Sequence, residues 1–357
     1  MAHPNCSLLN AIDLPEIFTW SNVEKIIILA FIPLVTFFGN AGNLAFLFTG
    51  VRVPRMRTVA NMYLFNLAVS DVLLLSTVCA AYLWTYVASS VVRTQAYVSA
   101  IWCWVIIYPS SICYFASVEM VTLVSFERYY AICHPLKHRS FAGKQRTKKQ
   151  IAGCWVAAAI LAAFVTFKVG DIQSVTLCVS SIAGGLAMEP HFLTISYCMN
   201  PFGYVWFSLI GEIIIDALFL AGLISSSFTY VKVIQALIKR EVSNLQSNQD
   251  NLNNKVRQQI AITLIINGII FFVCQIPYRV YDVHNITAIF KIWSLRDDEL
   301  SKLTVVYRIF IYINSAINPY IYILGSKYYR QAFKEAFGFK MSAAGTRSTV
   351  ATTVTRM

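Results

Sequence analysis

Five polar residues stand out because each interrupts an apolar stretch. Asp71 lies within LAVSDVLLL, Ser117 within a stretch that ends at Arg128, and Asn314, Ser315 and Asn318 fall together before Tyr322. Ser117 and Arg128 are eleven residues apart, about three helical turns, so on a helix they share a face. Asn314 and Asn318 are four apart, and Ser315, Asn318 and Tyr322 continue a stripe. A carboxylate, hydroxyls and amide oxygens gathered in one place can coordinate a small hard cation such as sodium. The same groups can instead satisfy one another as a hydrogen-bond network that packs helices.

Arg128 closes its stretch in SFERYYAICHPL. It is open to two readings: a side chain snorkelling to lipid phosphates, or a charge tied to Glu127 in one state and freed in another. A second polar set lies toward the opposite ends of the stretches: Ser110 and Ser111, Glu212 and Asp216, Tyr278, Arg279 and Asp282, and Arg308 with Tyr312. Together these could address a ligand. The alternative is that Glu212 or Asp216 pairs internally with Arg279 or Arg308. The sequence contains no HExxH, GxSxG or Walker-type loop, no CxxC pair and no His/Cys cluster with zinc spacing, so no enzyme is expected.

These residues need long apolar helices to carry them. The chain has 357 residues, 57% hydrophobic and 13% charged, about half the charged fraction of a soluble domain. Seven segments meet the roughly 20-residue requirement for crossing a bilayer: 26–50, 60–88, 99–127, 150–168, 204–231, 259–283 and 304–325. The expected fold is an all-α integral membrane bundle of seven helices. SKYYRQAFKEAF (326–337) is too short and polar to span, and suits an amphipathic helix on the membrane surface. The chain divides into an N-terminal segment 1–25, a bundle 26–325, the surface helix 326–338 and a tail 339–357.

The net charge is +12, but the basic residues sit at the ends of apolar runs, which argues against a nucleic-acid partner. Segments 52–57, 127–149, 232–257 and 327–357 hold 21 of the 29 Lys and Arg, so this side is cytoplasmic. Seven spans then place the N-terminus outside and the C-terminus inside. The sequons at Asn5 and Asn285 both fall on the outer side. The N-terminus lacks a basic region followed by an apolar core, so the first span is expected to serve as the targeting signal.

At this point the chain resembles a rhodopsin-like G protein-coupled receptor over about residues 25–338. The motifs that carry the likeness are GNAGN (39–43), LAVSD (67–71), Cys103 with ERY (127–129) and Pro135, Trp155, Tyr230, CQIPY (274–278) and NPYIY (318–322). They run in order, across all seven spans at the family's spacing. The resemblance implies a sodium site at Asp71, Ser117, Asn314, Ser315 and Asn318. It makes Arg128, Tyr230 and Tyr322 activation and coupling residues, beside Glu127, Phe271, Gln275, Pro277 and Pro319. It pairs Cys103 with Cys198, a loop cysteine for which Cys178 is a poorer competitor. Cys6 and Cys178 remain, either bridged to each other or as free thiols. The chain departs from the family in Glu127 for the usual Asp, Gln275 for the usual Trp and Gly222 for the usual Pro.

Ser110 stands where amine receptors carry an Asp, and Tyr312 where opsins carry a Lys. A long outer loop (169–203) with hairpin-compatible runs and a charged pocket suit a short peptide whose amidated or acidic end meets Arg279 or Arg308. MRTVANMYLFNLAVSDVLLL looks like neuropeptide receptors near the neuromedin U and thyrotropin-releasing-hormone group. The expected role is a plasma-membrane receptor that converts peptide binding into heterotrimeric G protein activation. Its further partners would be arrestin, receptor kinases and membrane lipid. Rival readings are a receptor for a lipid or other small non-amine ligand, a scavenger receptor that does not signal, and a secondary transporter.

Overall fold

The structure, a computed structural model, describes residues 20–88, 100–141, 143–168, 171–179, 182–183, 186–187, 191–199, 205–247, 252–293 and 295–338. Asn5, Cys6 and the tail beyond 338 lie outside them, as does any Cys6–Cys178 bridge. Seven long helices form the bundle: α1 (Asn22–Arg52), α2 (Val59–Ala88), α3 (Ala100–Cys133), α5 (Lys144–Lys168), α6 (Val205–Ser247), α7 (Leu252–Ile289) and α8 (Asp297–Gly325). Short α4 (Pro135–Phe141) follows α3, and α9 (Lys327–Ala336) follows α8. All seven expected spans are helices. Six of them are long and apolar enough to cross a membrane by length and composition alone. The seventh, α8, is diluted by the polar groups it carries inward, and it packs on α1, α2 and α7.

The helices are longer than the apolar runs. α6 continues to Ser247 and α7 begins at Leu252, so Lys232, Lys239, Arg240, Lys255 and Arg257 ride on helix extensions rather than in a broad loop. The sequence pattern marks the apolar thickness of the bilayer, whereas helix ends are set by capping and backbone hydrogen bonds. α1 opens with a capping box, in which Ser21 Oγ accepts from the Glu24 N–H and Glu24 Oε2 accepts from the Ser21 N–H. It then widens into one π turn at Ile27–Phe31. Pro33 lacks the N–H that would bond to Leu29, which accounts for that slack.

Burial is inverted relative to a soluble protein. Large apolar residues such as Val51, Ile101, Ile224 and Leu324 face outward, while Asn43, Asp71, Ser125, Gln275 and Asn318 are buried. Apolar side chains gain nothing by leaving lipid, so the interior is held by close packing and interhelical hydrogen bonds. Asn43 Nδ2 donates to Ser315 O, Tyr63 Oη to Gln150 Oε1, and Trp155 Nε1 to Asn66 Oδ1. These bonds fix α1 on α8, and α5 on α2.

Between α5 and α6 the chain forms an antiparallel hairpin, β1 (Asp171–Val179) with β4 (His191–Met199), paired from Asp171↔Met199 to Val179↔His191. A smaller pair, β2 (Ile182–Ala183) and β3 (Leu186–Ala187), continues it. Cys198 of β4 is bridged to Cys103 near the start of α3, with Cα atoms 6.0 Å apart. That bond ties the hairpin to the end of the bundle opposite α9.

Candidate functional site

The polar residues of the apolar stretches converge. Asp71 is buried, and its Oδ2 accepts a 2.7 Å hydrogen bond from Asn318 Nδ2. Ser315 is buried one turn before Asn318 on the same helix. Ser117 donates to Cys113 O and lies 2.9 Å from Ser70 Oγ. Asn314 is buried with its Oδ1 accepting no hydrogen bond. Among the described residues no Lys, Arg or His pairs with Asp71. A carboxylate out of water without a cationic partner is costly. Its own Oδ1, the serine hydroxyls and the orphaned Asn314 oxygen are hard donors that fit a small cation. Asn318 presents its amide nitrogen to Asp71, so it orients the carboxylate rather than offering an oxygen.

At the end of the bundle that carries the disulfide, a cavity of about 740 Å³ opens among the seven long helices, with α5 and α6 contributing Val165 and Ile215 to its wall. Ser110, Ser111, Tyr278, Arg308 and Tyr312 line it, together with Tyr82, Tyr114 and Tyr307, which the sequence reading had not singled out. Only Tyr307, adjacent to Arg308, could have been noticed from sequence. Tyr82 joins from another helix and needed the fold.

Glu212, Asp216, Arg279 and Asp282 are not among the lining residues. Arg279 Nη1 pairs with Asp216 Oδ1 and lies 3.0 Å from Asp282 Oδ2, while its Nη2 donates to Tyr114 Oη at 2.8 Å. Of the two readings the sequence left open, the pairing of Asp216 with Arg279 is the one found here: the guanidinium offsets one of the two carboxylate charges behind the wall. A buried arginine holds whatever anions the packing brings to it, and α6 brings Asp216 across from another helix.

At the opposite end, Glu127 accepts from His138 on α4 at 2.7 Å instead of holding Arg128. His138 was missed because a partner eleven residues on becomes a neighbour only when the chain turns at His134. Arg128 has a buried Nε without a hydrogen-bond acceptor. Tyr230 is buried beside Ile132, Val233 and Ala261, its hydroxyl pressed against the backbone at Gly268. Tyr322 is buried between Phe46 and Tyr329, with ring centroids 5.1 and 5.6 Å away, and its hydroxyl is unpaired. Phe271 packs edge-on to Phe272, and Gln275, one turn on, is 2% exposed with its Oε1 unpaired. Pro277 and Pro319 lie inside α7 and α8. Asn285 is half-buried on the last turns of α7.

α9 closes this end. Tyr329 Oη donates to Asn61 Oδ1, Tyr328 Oη to Arg55 O, and Arg55 pairs with Glu335, at 2.8, 2.7 and 2.8 Å. Burial holds the Tyr329 hydroxyl above its ordinary pKa, so it stays a donor.

A family model described as "7 transmembrane receptor (rhodopsin family)" matches residues 42–322. The human thyrotropin-releasing hormone receptor is 28% identical over 324 residues, covering 87% of this chain and 78% of the relative. The growth hormone secretagogue receptor type 1 of Oryctolagus cuniculus is 27% identical over 312 residues, covering 85% and 78%. The human neurotensin receptor type 1 is 25% identical over 323 residues, covering 87% and 75%. With its helices, its polar strip and its outer cavity arranged in this way, the chain belongs to the rhodopsin family of seven-transmembrane receptors.

Proposed function

We propose that this protein is a plasma-membrane G protein-coupled receptor for a short neuropeptide, with its N-terminus outside and its C-terminus in the cytoplasm. The carrying observation is the outer cavity. Its volume falls in the range of ligand sites for compact molecules, roughly 300–1,000 Å³, which admits the terminal segment of a peptide. The hairpin tied to Cys103 would frame its mouth. The relatives are named as receptors for thyrotropin-releasing hormone, growth hormone secretagogue and neurotensin, which agrees with a peptide.

Ser110, Ser111, Tyr278, Arg308 and Tyr312 are the ligand contacts in this reading. Binding shifts a pre-existing equilibrium toward the arrangement the ligand fits better. Asp71, Ser117, Asn314 and Ser315 would hold sodium, which when bound balances the buried charge; Asn318 keeps the Asp71 carboxylate in place. Arg128, Tyr230 and Tyr322 carry the coupling role, with α7 bending at Pro277. The basic inner surface would meet the G protein, arrestin, receptor kinases and anionic lipid.

A neuropeptide library assayed by G-protein nucleotide exchange tests the proposal. At least one peptide should drive exchange, and Arg128→Ala should abolish it at normal surface expression. Uptake of peptide without exchange would instead make this a scavenger. Asp71→Asn should remove the sodium dependence of agonist affinity, and an unchanged salt response would exclude the cation site.

A further inference from the structure

The outer cavity is unbalanced in charge. Among the described residues two charged side chains line it, Glu24 and Arg308. Glu24 belongs to the first turn of α1, and its carboxylate is taken up by Ser21, accepting from the N–H at 2.9 Å and from the hydroxyl at 2.7 Å. Arg308 lies eleven residues into α8, about 16 Å along the helix from Asp297. Among the described residues no carboxylate reaches ion-pair distance of it. Its neighbours are aromatic: the guanidinium carbon is 5.3 Å from the Tyr82 ring centroid and 5.9 Å from that of Tyr307, with Tyr312 one turn deeper.

The contrast with Arg279 is informative. That arginine, one helix away, is met by two carboxylates and is closed to anything from outside. Arg308 receives only ring faces, which attract a cation but bring no negative charge. Arg308 is half-buried on the cavity wall, and a guanidinium held there without an anion is one that a ligand's carboxylate can pair. Its planar fork matches a carboxylate with two parallel hydrogen bonds, and the phenols of Tyr82, Tyr307 and Tyr312 add O–H donors suited to the same oxygens. A carboxamide offers one oxygen and no charge, and its NH₂ would oppose the guanidinium donors.

We infer that Arg308, in its cage of Tyr82, Tyr307 and Tyr312, selects a ligand that ends in a free carboxylate over the same ligand ending in an amide. This deepens the peptide-receptor reading and rests on it for the ligand's identity, though not for the chemistry at Arg308.

The first test uses the purified full-length receptor and two small probes, N-acetyl-tyrosine and N-acetyl-tyrosinamide, each at tens of millimolar. The acid should raise the thermal midpoint by several degrees and the amide should not. Arg308→Gln should erase the difference and Arg308→Lys should keep part of it. Equal shifts from acid and amide, no shift from either, or an acid shift surviving in Arg308→Gln would overturn the assignment. The wild-type comparison decides even where a variant fails to fold. The second test applies pools of synthetic tetrapeptides with acid or amide ends to nucleotide exchange. An acid pool at least tenfold more potent supports the inference. Activation by the amide pool alone removes it while leaving the peptide receptor standing. Silence from both pools, with the acid-selective thermal shift intact, would remove the peptide reading and keep the carboxylate site.

Discussion

Arg279 and Arg308 are the same amino acid at the same end of the bundle, yet their surroundings make opposite demands. Removing the charge at Arg279 strands Asp216 and Asp282 together, so Arg279→Gln should cost about 3–5 kcal/mol of stability. Arg308→Gln removes a charge that has no counter-ion among the described residues, and should leave the unliganded receptor as stable as before or more so. Thermal unfolding of both purified variants measures the difference, and equal losses would defeat this account. Gln275 makes a related case. Its buried Oε1 has no donor, and replacing both halves of an unmet polar group by hydrocarbon is neutral or favourable. Gln275→Leu should therefore not lower the thermal midpoint; a fall of several degrees would defeat this account. From sequence alone, Arg279 and Arg308 looked equally available to a ligand. Only the approach of α6 and α7 separated them.

Among the helices, the contact of α6 with α7 is set by a missing side chain. A Cβ added at Gly268 would lie 1.8 Å from the Tyr230 hydroxyl and 2.7 Å from its ring carbon Cζ. Gly268→Ala must push the ring aside, at about 1–3 kcal/mol. Tyr230→Ala in the same chain should recover most of that loss. A double-mutant cycle on thermal stability reads the coupling, and simple additivity would show that the two residues do not meet. Of the three polar contacts that dock α9, the one from Tyr329 to Asn61 is the buried one. Tyr329→Phe should cost about 1–3 kcal/mol and expose the helix to protease. The pH dependence follows from the raised pKa of this phenol. In the folded state it keeps its proton beyond the ordinary value of about 10, so its contribution is complete below that pH and is lost as the pH climbs toward the folded value. Wild type should lose protease resistance at α9 in strong alkali, and Tyr329→Phe should show no such transition. The amphipathic pattern of 326–337 was plain in the sequence. The anchor was not, because Asn61 is 268 positions away.

For the molecule as a whole, the disulfide joins segments 95 residues apart and binds the hairpin to the bundle. Cys103→Ser should cost about 2–5 kcal/mol, an effect visible as a lower thermal midpoint and reduced surface expression. Cys198→Ser should match it, and the double variant should be no worse than either single one. Additive losses would mean the two cysteines act separately. The Cys103–Cys198 pairing was implied by the family resemblance, with Cys178 as the competitor, and a hairpin by runs compatible with strands within 169–203, DIQSVTLCV and HFLTISYCM.

The sequence by itself determined the membrane class, the seven spans and the identity of the groups that must lie inside them. Apolar length and isolated polar residues are local properties, and lipid penalises any other arrangement. Tertiary structure alone decided which of those groups meet: Asp71 with Asn318 across α2 and α8, Glu127 with His138 instead of Arg128, Arg279 with two acids, and Arg308 with none among the described residues. Charge balance in a low-dielectric interior depends on neighbours within a few ångströms, and those neighbours come from helices far apart in the chain.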